Sequence, residues 1–198
     1  MSGAHTGALA HRSAIERART GVWVFLASEC LVFGTLIGTY LSLHGRSTVG
    51  PYPQEVFDLG AISLATFILL ASSLTMALAI SAARAGQMNL CRSWIAATMV
   101  LGMAFLGMQA NEYATFIREG LRLSTNVFGA SFYALTGTHG THVAAGILWL
   151  GGLLVNSFRG KLTPAEGGMV ELAGLYWHFV DMVWMIIFPV VYLMEFAP

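Results

Sequence analysis

Five apolar runs, separated by short stretches where charges and turn residues gather, set the pattern of this chain. They cover roughly residues 20–43, 57–83, 94–117, 127–156 and 172–194. Each can cross a hydrocarbon core, which takes about 20 residues at about 1.5 Å per residue. The runs are continuous, without the apolar–polar alternation of a membrane barrel. A helix, moreover, satisfies every backbone donor and acceptor within its own segment. The pattern predicts an all-α protein: an integral membrane bundle of five transmembrane helices in one domain, preceded by a polar tail over residues 1–19. Prolines and glycines mark the loops, among them Pro51, Pro53 and Pro164.

Composition agrees with a lipid solvent. Of 198 residues, 56% are hydrophobic and 10% are charged, against about a quarter charged in soluble domains. Mean hydropathy is +0.68. The net charge of zero gives no reason to expect nucleic acid as a partner. The tail carries Arg12, Arg17 and Arg19 but no apolar core followed by a small-residue cleavage site, so no removable signal peptide is expected. Together with Arg84, Arg92, Arg159 and Lys161 these make seven basic residues on one side, against Arg46, Arg118 and Arg122 on the other. The positive-inside rule then predicts a cytoplasmic N-terminus and a C-terminus outside, on the periplasmic side. Cys30 and Cys91 fall at different depths, which argues against a disulfide, and two thiols alone make no zinc site. No internal repeat is visible, against the paired halves of many transporters.

The informative residues are ionisable groups at membrane depth. Glu29 lies about nine residues into the first helix, roughly 14 Å from its inner end by helical rise. His139 and His142 sit near the middle of the fourth helix, His178 and Asp181 in the inner half to middle of the fifth. Glu112 is in the outer part of the third, beside Gln109 and Asn111. Charge at this depth is costly, so such groups normally face the bundle interior and pair. Each His/His and His/Asp spacing of three puts both residues on one helix face. Three readings follow: a polar network that fixes helix register, a site for protons or lipid head groups, or a metal site. Imidazoles and carboxylates ligate iron in some helical bundles, but those use Glu-x-x-His repeats, which this chain lacks. Gly34 and Gly38, and the glycines of the fourth helix such as Gly140 and Gly146, permit close helix packing. Trp23, Trp94 and Trp177 read as interfacial lipid contacts. His5 and His11 in the tail read either as part of a solvated segment or as proton collectors.

Four segments together resemble one family. They are GVWVFLASECLVFGTLIGTYL in the first helix, GMQANEY in the third, FGASFYALTGTHGTHVAAG in the fourth and YWHFVDMVW in the fifth. They are similar to subunit III of heme–copper terminal oxidases in its short, five-helix bacterial form. The resemblance places the family's intramembrane carboxylate on Glu29, its helix-three glutamate on Glu112 and its histidine pair on His139 and His142. It places the Trp-His-Phe-x-Asp cluster on Trp177, His178, Phe179 and Asp181. It implies an accessory subunit of a proton-pumping oxygen reductase of the cytochrome c oxidase type, in the bacterial cell membrane. That subunit stabilises subunit I, binds structural phospholipid and supports proton uptake. No catalytic residue, metal ligand or cofactor is expected in this chain; heme and copper belong to partner subunits I and II. A small subunit IV is an optional further neighbour. The alternatives are subunit III of a quinol oxidase, or the related partner of a nitric oxide reductase. The remote alternative is a free-standing membrane transporter or metal-binding protein. Larger members of the family have seven helices, and the first two are absent here. Thr141 stands where an aliphatic residue is more usual.

Overall fold

The computed structural model describes residues 2–47, 50–51, 57–160 and 167–196, with side chains from residue 15 to residue 195. Pro53, Lys161 and Pro164, and the side chains of His5, His11 and Arg12, lie outside the described residues. Five helices carry the fold: α1 (Ser2–Leu43), α2 (Leu59–Arg84), α3 (Met88–Arg118), α4 (Val127–Phe158) and α5 (Gly167–Phe188). All five contain spans long and apolar enough to cross a membrane.

The helices outrun their apolar cores. α1 begins at Ser2 and so takes in most of the segment read as a tail; polar composition alone does not end a helix. α3 begins at Met88, ahead of the apolar run. Its first turns hold Arg92, whose guanidinium donates to the Ser157 hydroxyl (2.7 Å) and carbonyl (2.8 Å) at the end of α4. The ends are set by local chemistry. Asp58 caps α2 by accepting from the Gly60 and Ala61 amides, and Asn126 caps α4 by accepting from Gly129. The first four helices each end two residues before a glycine of positive φ: Gly45, Gly86, Gly120 and Gly160. Only a residue without Cβ reverses the chain there cheaply.

At the end of α5 the hydrogen-bond ladder changes. Pro189 has no N–H to give, and the chain widens into a π-helical turn over Pro189–Leu193. That turn aims Tyr192 into the bundle, where it is fully buried.

α2, α3, α4 and α5 form a ring in which each packs on the next and α5 closes on α2, while α1 lies outside, against α4 and α5. α1 docks through Leu26, Phe33 and Tyr40, seven residues apart and all buried. Seven residues are close to two helical turns, so the three stand on one narrow stripe. Much of the remaining described surface of α1 is open, with Leu31 75% exposed. Gly34 and Gly38 fall on that open side, where an added Cβ meets nothing within 4 Å. The close approach their spacing permits is therefore not made within this chain.

Small residues act instead at the centre of the ring. Trp177 is 1% exposed and wedged between Gly102 of α3 and Gly146 of α4. Its burial corrects the expectation of an interfacial contact: the two glycines open a slot for the indole, and Ser72 of α2 accepts its Nε1–H at 3.0 Å. Where α5 ends, Phe57, Phe128, Phe132 and Tyr192 close the ring as an aromatic plug, with the Phe57 and Tyr192 centroids 4.6 Å apart.

A methyl group at Gly102 would stand 2.6 Å from Trp177 Cη2, whereas one at Gly107 meets nothing within 4 Å. Gly102→Ala is expected to destabilise the protein by about 1–3 kcal/mol through overpacking, and Gly107→Ala to leave it unchanged or slightly more stable. Thermal unfolding of the two variants in detergent checks the contrast.

Candidate functional site

The ionisable residues singled out by depth do not form one network. They fall into three groups, each joining helices distant in sequence.

The first group ties α1 to the ring. Glu29 Oε2 lies 3.0 Å from His142 Nε2, with side chains only 14% and 18% exposed. The other ring nitrogen, Nδ1, is 2.8 Å from the Thr138 carbonyl one turn back on α4. A carbonyl can only accept, so Nδ1 carries a proton. Nε2 then either accepts from a protonated Glu29 or, in the imidazolium, donates to a carboxylate. In both forms the pair holds one shared proton and has no net charge, the state that low-dielectric surroundings favour. Tyr176 of α5 donates to the His142 carbonyl at 2.9 Å, and the Phe33 ring lies 5.0 Å from the His142 ring. His139, one turn earlier, has no exposed surface. Its Nε2–H donates to the Val180 carbonyl of α5 at 3.2 Å, while Nδ1 has no hydrogen-bond partner among the described residues. The imidazole packs against Trp184, 4.8 Å away, and against the edge of Phe105.

The second group joins α2 to α5. Ser73 donates to Asp181 Oδ2 at 2.6 Å, leaving Oδ1 buried without a described partner. His178, one turn before Asp181, is half-buried. Among the described residues no hydrogen bond joins the two, although their spacing would allow one. In the third group, the π-turn brings Tyr192 to Glu112, with its hydroxyl donating to Oε2 at 3.2 Å. Gln109, one turn back on α3, donates to the Thr136 carbonyl of α4 at 3.1 Å.

One cluster escaped the sequence reading. Tyr40 near the end of α1 donates to Glu195 Oε1 at 3.1 Å, and His44 Nε2 is 2.9 Å from the same oxygen. Glu195 is 8% exposed, and the cluster fastens the C-terminal end of α1 to the turn that follows α5. The signal was available in part: Tyr40 continues the seven-residue spacing of Leu26 and Phe33.

These donor sets do not fit a redox metal. Among the described residues no three His, Cys, Asp or Glu side chains come close enough to share an ion. The ring of His139, whose Nδ1 is free, is enclosed by aromatic neighbours. Of the tryptophans read as lipid contacts, Trp23 is 55% exposed and Trp94 half-buried, so both reach the surface.

The sequence model of the family described as cytochrome c oxidase subunit III matches residues 1–196. A quinol oxidase subunit 3 of Bacillus subtilis (strain 168) is 40% identical over 174 residues, covering 88% of this chain and 85% of its own. A cytochrome c oxidase subunit 3 of Bacillus sp. (strain PS3) is 39% identical over 174 residues, covering 88% and 84%. A cytochrome bo(3) ubiquinol oxidase subunit 3 of Pseudomonas aeruginosa is 38% identical over 174 residues, covering 88% and 83%.

The shared-proton geometry gives an ordered set of outcomes. His142→Ala leaves Glu29 buried without its partner and is expected to cost about 3–5 kcal/mol of stability. Glu29→Ala, which leaves a neutral imidazole short of one hydrogen bond, should cost about 1–3 kcal/mol. Unfolding measurements on both variants and their double should give a loss smaller than the sum; an additive result would mean that the two side chains do not interact.

Proposed function

The chain belongs to the cytochrome c oxidase subunit III family, and on that premise we propose that it acts as a scaffold without a redox centre of its own. It is a subunit of a heme–copper oxidase complex and a multi-pass protein of the bacterial cell membrane. In this reading it stabilises subunit I, carries structural phospholipid and supports proton uptake. Subunits I and II hold the heme and copper, and a small subunit IV can complete the assembly. The observation that carries the reading is the use made of the intramembrane ionisable groups. Glu29 with His142, Asp181 with Ser73 and Glu112 with Tyr192 each fasten one helix to another. Helix fastening is what a scaffold requires. Within it, Glu29 and His142 are the pair suited to hold a mobile proton, while His139, His178, Asp181 and Glu112 complete the intramembrane polar positions. Trp23 and Trp94 are the interfacial lipid contacts.

Relatives named for quinol and for cytochrome c match almost equally, at 40% and 39%. That equality favours a subunit that does not touch the electron donor, so the choice of donor belongs to the partner chains.

Affinity purification through this chain in mild detergent, followed by a reduced-minus-oxidised spectrum and metal analysis, tests the reading. Heme and copper should arrive with larger partner chains and stay with them when this subunit is stripped off. Tightly bound iron or zinc in the isolated chain would overturn it. The charge bias of the loops makes the N-terminus cytoplasmic, so a reporter fused at the C-terminus should respond only to reagents outside the cell.

A further inference from the structure

His178 is half-buried and makes no hydrogen bond among the described residues. Asp181, one turn on, accepts from Ser73 instead. Val180 is the middle residue of the span Gly167–Leu193, and His178 precedes it by two, about 3 Å by helical rise. Lipid head groups are about 15 Å away at that depth, because the hydrocarbon core is about 30 Å thick. A neutral imidazole still has one donor and one acceptor to satisfy, and acyl chains satisfy neither. A helix of another chain can bring a polar side chain to this depth with its own backbone satisfied.

The surroundings of His178 suit such a helix. α1 packs on α4 and α5, and α2 on α3 and α5, so one lateral face of α5 lies open between α1 and α2. One turn beyond His178 that face presents Met182, 62% exposed, followed by the exposed Met185 and Ile186. Methionine adapts readily to the surface of a partner. The α1 wall is made of small residues. At about 100° per residue, Gly34 and Gly38 stand across the Leu26–Phe33–Tyr40 stripe from Glu29, which faces α4. Phe33 lies against Phe179 and Tyr40 reaches the Val191 carbonyl, so the two glycines are level with the exposed stretch of α5. An added Cβ at either meets nothing within 4 Å. A helix backbone can approach closely there, and no described helix of this chain does.

We propose that the groove between α1 and α2 seats one transmembrane helix of a neighbouring oxidase subunit, packed on Gly34 and Gly38 and giving His178 a hydrogen-bonding side chain. The inference rests on the reading of this chain as a scaffold subunit, and it adds the face by which the scaffold is held.

The test places the photoreactive p-benzoylphenylalanine at Met182 in the assembled oxidase in its native membrane. Illumination should link this chain to one transmembrane segment of a larger subunit, identified by mass spectrometry of the joined peptides. Capture of phospholipid alone, or of a second copy of this chain, would overturn the proposal. His178→Leu gives an independent readout. The seated helix predicts about tenfold less of this chain retained with the heme-bearing subunits after detergent purification. His178→Gln, whose amide keeps a donor and an acceptor, should restore retention. A His178 that faces lipid predicts wild-type retention in His178→Leu, and that result would sink the idea. Gly34→Leu should also lower retention while leaving thermal unfolding of the full chain unchanged, since its Cβ meets open space in this chain; unchanged retention would count against the seat. Failure of the wild type to purify with heme-bearing subunits would overturn the broader reading as well.

Discussion

A hydrogen-bonding group inside a bilayer that finds no partner in protein finds none in its solvent either, and the architecture of this chain follows from that constraint. Small hydroxyls meet it by turning back on their own helix: Thr35 donates to the Leu31 carbonyl, and Thr138 to that of Ala134. Some then take on a second task. Thr66 donates to the Ile62 carbonyl and accepts the indole N–H of Trp184, while Ser72 does the same between the Leu69 carbonyl and Trp177. Each hydroxyl thus couples a large α5 side chain to α2 and leaves no donor unsatisfied. Glu29 and His142 meet the constraint with titratable groups, holding one proton between them so that neither form places net charge in the membrane.

The end of the bundle where α5 stops depends on a single proline. Pro189 interrupts the α-helical ladder, and the segment that follows directs its residues to partners on α1 and α3. Val191 offers its carbonyl to Tyr40 of α1 at 3.4 Å, Tyr192 gives its hydroxyl to Glu112 of α3, and Glu195 receives Tyr40 and His44. A regular helix through this segment would rotate those residues off their targets. The irregular backbone is buried among protein partners, the setting in which a membrane tolerates it.

Much of the fold was legible in the hydrophobic pattern, because a bilayer imposes length and continuity on any spanning segment. The helix ends were less legible: Met88 and Gly167 begin helices in stretches of loop-like composition, where hydrogen bonding continues into the headgroup region. Depth alone identified Glu29, Glu112, His139, His142 and Asp181 as groups in need of partners. It could not identify those partners, since Ser73 and Tyr192 are ordinary residues whose relevance comes from the packing of distant helices. Trp177 shows the opposite failure. An aromatic residue near a helix end reads as an anchor until Gly102 and Gly146, far apart in sequence, are brought to its two sides. Tyr40 and Glu195 were hidden for the same reason, being joined across 155 residues.

The peripheral position of α1 has a consequence for how the protein is made. α1 leaves the ribosome before α4 and α5, yet those two form its docking surface, and the partner of Glu29 lies 113 residues downstream. At roughly 5–20 residues per second, the first helix spends on the order of ten seconds in or beside the insertion machinery with that carboxyl unpaired. α2 and α3, joined by a tight turn at Gly86 and packed along their length, can pair as soon as both have entered. This order favours assembly from α2 and α3, with α1 docking only once α4 and α5 are in place.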